Sequence, residues 1–63
     1  MRTLITYRAN ETKVYMHSHD TEWTRVIHCD MRGCGRRFQG PRNIWDDLQA
    51  AYRRAREHAL THG

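Results

Sequence analysis

Apolar positions follow two rhythms along this chain, and the change falls at Gly40 and Pro41. Before that point they come in short, loosely alternating runs bounded by polar turns. TLITYRA (residues 3–9) is rich in β-branched and aromatic side chains and predicts a strand. NET (10–12) predicts a turn, KVYMHS (13–18) a second strand, and HDT (19–21) another turn. EWTRVIHC (22–29) predicts a third strand carrying Trp23, Val26 and Ile27. DMRGCG (30–35) reads as a tight loop, in which Gly33 and Gly35 supply positive φ. RRFQ (36–39) fits a short fourth strand.

After Gly40 and Pro41 the period becomes helical. Ile44, Leu48, Ala51, Ala55, His58 and His62 are spaced 4, 3, 4, 3 and 4, which places them on one stripe. Trp45, Tyr52 and Ala59 lie along its edge. A helix is therefore predicted from about Pro41, a residue suited to a helix start, to His62, with Gly63 as its stop. Asp46 and Asp47 suit the positive end of the helix dipole, and Arg53, Arg54 and Arg56 suit its second half. Ile44, Leu48, Ala51 and Ala55 are expected to face the sheet together with Phe38.

Two histidines extend the apolar stripe, and a buried imidazole needs a polar partner. Taken alone, His58 and His62 fit two fraying terminal residues as well as they fit a site. The cysteines change that reading. Cys29 and Cys34 are separated by four residues on the tight loop, and His58 and His62 by three on the helix. Two thiolates and two imidazoles form the donor set of tetrahedral zinc, and four protein ligands leave no open position for water. The expected site is structural: Zn2+ held by Cys29, Cys34, His58 and His62.

Size makes such a staple physically reasonable. A chain of 63 residues buries only about 60% of its unfolded surface. Its apolar content, 38%, is below the globular norm of about 45–50%. The expected fold class is α+β: a small antiparallel sheet of three to four strands on one long C-terminal helix, stapled by zinc. It forms a single domain over residues 1–63, with strands in 1–28 and the metal-binding part in 29–63. No run approaches the ~18 apolar residues of a membrane span, and MRTLITYRAN lacks the pattern of a signal peptide. A cytoplasmic protein with reduced thiols is expected, in which a close cysteine pair more often binds metal than forms a disulfide.

On Cys29, Cys34, Phe38, Leu48, His58 and His62, the sequence resembles the zinc-finger family with two Cys and two His ligands on a β-hairpin and a helix. Phe38 follows Cys34 by four positions, where the family places its core aromatic. The departure is central: 23 residues separate Cys34 from His58, against about 12 in the standard finger. The excess of 11 is close to three helical turns, so it lengthens the helix while keeping the ligands on one face. The resemblance spans residues 28–62 and implies a ββα-type fold, zinc and a DNA-binding role. Tiny Arg-rich domains of this type suit phage or mobile-element genomes.

Charge supplies the candidate partner. The net charge is +4, with 11 basic against 7 acidic residues, and Lys13 is the only lysine. Arginine favours bidentate contacts with phosphates and carboxylates, although a GC-rich coding bias yields the same preference. Arg42, Gln49, Arg53 and Arg56 recur at 7, 4 and 3, away from the buried stripe, and Arg32, Arg36 and Arg37 lie in or just after the metal loop. These seven residues are the candidate contacts to nucleic acid, DNA in the first instance. Asp46 and Asp47 oppose that reading near the helix start. The alternative is a protein-interaction module, an adaptor or inhibitor of a host or regulatory protein. Neither a membrane nor a small-molecule substrate is expected.

No nucleophile–base arrangement or phosphate-binding glycine loop points to an enzyme. A hydrolytic finger would need a second ligand set, and none is legible. HSHD (17–20) resembles a metal-binding His pair with an acid, but its polar neighbours between strand and turn favour a solvated turn, and His28 points away from its neighbour Cys29. Tyr7, Tyr15 and Trp23 fit an exposed aromatic patch on the sheet, with core packing equally open for Trp23.

Overall fold

A computed structural model describes residues 2–62. It contains β1 (Thr3–Ala9), β2 (Thr12–Asp20), β3 (Thr24–Cys29), β4 (Arg37–Pro41) and α1 (Trp45–Leu60). The four strands form one sheet in the order β1-β2-β3-β4, every neighbouring pair antiparallel. The helix covers one face and leaves the other uncovered. This is the expected α+β architecture, with all four strands formed.

The strand register sorts side chains by face. Ile5 pairs with Met16 and Tyr7 with Val14, Met16 pairs with Cys29, and Ile27 pairs with Phe38. These residues look toward the helix. Val14, Met16 and Ile27 are fully buried, and Phe38, Leu48, Ala51, Ala55 and Ala59 complete the core. Each large side chain buried this way contributes roughly 1.5–3 kcal/mol. The alanines add little volume, and they let the helix lie close to the sheet. Gly40 does the same from the other side. A Cβ at that position would stand 3.0 Å from the Asp47 carbonyl oxygen and 3.2 Å from Leu48 Cα.

The turns follow local chemistry. Asn10 adopts φ 58° in the two-residue link between β1 and β2, a left-handed conformation that asparagine tolerates. Gly33 and Gly35 have φ of 78° and 75° in the loop after β3, as the sequence predicts.

Several expectations are corrected. The helix begins at Trp45, not near Pro41, and ends at Leu60, short of His62; Pro41 closes β4 opposite Thr24. Proline is tolerated there because β4 is an edge strand with no further neighbour waiting for its N–H. Ile44 is the N-cap and is 48% exposed, so it stands outside the buried stripe. Ala59, assigned to the stripe's edge, is fully buried; the packed face is Leu48, Ala51, Ala55 and Ala59. Finally, β2 runs on to Asp20, so His17 and His19 lie in a strand rather than a turn. Trp23 falls in the β2–β3 link, 71% exposed and outside the core. The expected stop at Gly63 lies outside the described residues.

Candidate metal centre

Cys29 is the last residue of β3, on the helix side of the sheet, and is buried. Cys34 lies on the loop that follows. That loop is closed by backbone bonds from Cys34 N–H to the Met31 carbonyl (3.0 Å) and from Cys29 N–H to the Arg36 carbonyl (2.9 Å). The two positive-φ glycines flank Cys34 and fold the loop back on itself.

His58 sits in the last turn of α1, and His62 follows the helix end. After Leu60 the chain tightens, with the Thr61 N–H bonding to the His58 carbonyl (3.0 Å) and the His62 N–H to the Ala59 carbonyl (3.1 Å). These are bonds to the third residue back, a tighter coil than the α-helix. The Thr61 hydroxyl also donates to the His58 carbonyl at 2.6 Å. Both imidazoles are thereby held on the side facing the cysteines.

The four donor atoms converge. One atom from each of Cys29, Cys34, His58 and His62 lies within 4.8 Å of the others. Cys34 Sγ is 3.0 Å from His58 Nε2, and Cys29 Sγ is 3.5 Å from His62 Nε2. The two Nε2 atoms are 3.2 Å apart. Bond lengths of about 2.0–2.1 Å for Zn–N and 2.3 Å for Zn–S imply tetrahedral edges of about 3.3 Å between nitrogens and 3.5 Å between nitrogen and sulfur. These three separations stand within about half an ångström of the edges a tetrahedral ion requires. Both histidines present the same nitrogen, which fits a shared ligand better than mutual hydrogen bonding. The chemistry of the donor set and its geometry agree.

Burial sets the protonation. His58 titrates below the ordinary imidazole range, first through burial and then through His62 and Arg36, so its neutral, metal-ligating form is favoured. Burial pushes the Cys29 thiol up; a backbone hydrogen bond from Met31 opposes this, and neighbouring Cys34 adds to it. A divalent cation would reverse that preference by stabilising both thiolates. The Phe38 ring centroid, 5.5 Å from that of His58, walls the site on the sheet side.

The seven basic or amide candidates do not form one surface. Gln49, Arg53 and Arg56 come together on one flank of α1, where with Tyr7 and Tyr52 they line an open cleft of about 270 Å3. Tyr7 titrates above the ordinary phenol range because of burial and Tyr52, with Arg56 opposing. Arg36 lies on the opposite flank, its guanidinium 5.7 Å from the Phe38 ring centroid, beside Arg54 and Glu57. Arg37 is on β4, paired with His28 of the outer face, and Arg32 is exposed in the metal loop. Arg42 precedes the helix rather than lying on it. Its guanidinium donates to the Thr21 carbonyl (3.0 Å) and approaches Asp20 (3.5 Å). Asp20 also binds Arg25 at 2.7 Å, and that hydrogen bond holds its carboxyl below the usual range. Arg42 is thus part of a tie between the β2–β3 link and the start of α1.

One constellation corrects the expected solvated turn at HSHD. His17, His19 and His28 also bring donor nitrogens within 4.8 Å of one another, on the uncovered face of the sheet. Burial, then His17, His19 and Arg37, hold His28 below the ordinary imidazole range. Extending β2 by two residues was the missing signal, since it places His17 and His19 on one face.

Comparison of the chain with protein-family models, curated proteins and solved structures finds no match.

Proposed function

We propose that the chain is a zinc-stapled binding module of ββα-finger type, which contacts nucleic-acid phosphates through the flank of α1 carrying Gln49, Arg53 and Arg56. The metal identity follows from the donors: two thiolates and two imidazoles neutralise Zn2+ and fill a tetrahedron. A filled shell favours binding over catalysis.

The observation that carries the nucleic-acid reading is the cleft itself. It places two guanidinium groups and a side-chain amide beside two tyrosine rings. Guanidinium pairs phosphate oxygens in a bidentate fashion, and aromatic rings stack on unpaired bases. Asp46 and Asp47 sit in the first turn of α1, so contact is expected from Gln49 toward the C-terminal half of the helix.

The test is a salt series of DNA binding by fluorescence anisotropy, on single- and double-stranded probes. Arg53→Ala and Arg56→Ala should each weaken binding and reduce the salt slope by about one unit, since each removes about one phosphate contact. Both residues are exposed, so folding should be unaffected. A double variant that binds like the parent, or a parent that binds no DNA, rejects this reading.

A second reading, a protein-interaction module, draws on different residues. Trp23 and Trp45 are 71% and 72% exposed. A backbone bond from Arg42 N–H to the Trp23 carbonyl (3.0 Å) ties their segments together. Exposed tryptophans are favoured anchors in protein interfaces. A saturable, salt-insensitive complex lost on Trp23→Ala would support this reading.

A further inference from the structure

The outer face of the sheet carries a second cluster of metal-ligating side chains. His17 and His19 are two residues apart on β2 and project from the same side. His28 on β3 is the cross-strand partner of His17. Its ring stacks on that of His17, with centroids 4.7 Å apart and planes at 12°, and on that of His19, at 4.9 Å and 18°. All three side chains are half-buried.

Asp30 supplies an independent observation. Its carboxylate meets His17 Nδ1 at 2.7 and 2.9 Å. A carboxylate there accepts the Nδ1 proton, fixes the ring's orientation and leaves Nε2 as a free donor. Histidines that ligate metals are commonly held in this way. His28 thus lies between two imidazoles whose own centroids are 6.4 Å apart, so three nitrogen-bearing rings are gathered on one uncovered face. In their neutral form each ring offers a nitrogen lone pair that a metal cation would attract.

We propose that His17, His19 and His28 form a second metal site, which takes a divalent late transition-metal ion such as Zn2+, with Asp30 orienting His17. The ring planes are nearly parallel, so the donor nitrogens lie side by side, up to 4.8 Å apart. With the His17 ring held by Asp30, rotation of the His19 and His28 rings about their terminal torsions, which are broad and soft, is the adjustment toward the separation of about 3.3 Å that one ion requires. Three nitrogen ligands leave at least one position to solvent, so this site is open where the cysteine site is closed. Nitrogen donors suit Zn2+, Cu2+ and Ni2+ and disfavour Mg2+ and Ca2+. The two ions would sit on opposite faces of the sheet, since His28 and Cys29 are consecutive on β3.

The site is independent of the nucleic-acid reading, and its test separates it from the cysteine site. Protein loaded with one equivalent of zinc is titrated with further Zn2+ by calorimetry, while the imidazole signals are followed by NMR. A second equivalent should bind, and the signals of His17, His19 and His28 should shift with it. His19→Gln and His28→Gln should each weaken that step at least tenfold, and Asp30→Asn by about 10–100-fold. Co2+ provides the control: sulfur-to-metal charge-transfer absorption arises only from the cysteine site and should persist in every histidine variant, which also reports that the variants fold. One zinc per chain at saturation overturns the proposal. So does a second equivalent that leaves the three imidazole signals unmoved in the parent, or that binds the His19→Gln/His28→Gln protein as tightly.

Discussion

At the scale of the residue, His58 and Cys29 resist their charged forms in opposite directions of pH. Burial, His62 and Arg36 disfavour the His58 imidazolium, so the unfolded chain takes up that proton more readily than the folded one. The stability this residue contributes is complete above about pH 6.5 and falls as pH drops below it. The raised Cys29 thiol acts the other way: metal-free, it stabilises the fold below the ordinary thiol range and loses that contribution as pH rises through its raised value. Zinc needs the thiolates and the neutral imidazoles together. Zinc uptake near neutral pH should therefore release protons, and affinity should drop steeply between about pH 7 and 5. Competition with a chelator across that range checks the fall, and calorimetry in buffers of different ionisation enthalpy counts the protons. An affinity flat with pH would mean that these residues are not the ligands.

At the scale of the element, the interface between α1 and β4 depends on having almost no side chain between backbones. Gly40 lies beneath Leu48 and Ala51, and an added methyl would meet backbone atoms at 3.0 and 3.2 Å. Backbone on both sides leaves nothing flexible to yield. Gly40→Ala should cost about 1–3 kcal/mol through overpacking, outweighing the roughly 0.4–1 kcal/mol gained by stiffening the unfolded chain. For a domain of this size the melting temperature should fall by roughly 5–20 °C. Gly33 is the contrast. It has φ 78° but open space around its Cα, so its demand is conformational alone. Gly33→Asn should cost less than Gly40→Ala, since asparagine tolerates the left-handed region. Thermal melts of the zinc-loaded variants rank the two; the reverse order would show that loop conformation outweighs helix–sheet clearance.

At the scale of the whole molecule, an ion held by Cys29, Cys34, His58 and His62 would join α1 to the end of β3 and its loop. The core holds just three fully buried larger side chains, Val14, Met16 and Ile27. A core this small rarely supplies more than about 3–5 kcal/mol, whereas a structural zinc contributes about 10–16 kcal/mol of apparent binding energy. Chelation should therefore undo the fold rather than merely empty a site. Amide signal dispersion should collapse on metal removal and return with Zn2+, and Cys34→Ser should reproduce the collapsed state. A chelated chain that kept its dispersion and melting transition would show that the sheet and helix hold without the ion. Among the described residues no helix is long and apolar enough to cross a membrane.

Much of this was legible in the order of residues, because it rests on local chemistry. Alternating runs specified the strands, the positive-φ glycines specified the loop around Cys34, and the 3–4 spacing put His58 on the sheet side of α1, with His62 brought beside it by the tighter turn after Leu60. Phe38, Leu48, Ala51 and Ala55 were readable as core for the same reason. Other features depend on what lies across the chain. Pro41 resembles a helix start until β4 is known to be an edge strand, where its missing N–H costs nothing. Arg42 fits the helical stripe by number, yet Asp20 and the Thr21 carbonyl hold it elsewhere. Ala59 became core only because the helix lies close enough to the sheet to enclose a methyl group. The three outer histidines are the clearest case. Extension of β2 to Asp20 sets His17 and His19 on one face, and pairing of β2 with β3 brings His28 to them across a sequence distance that no periodicity records.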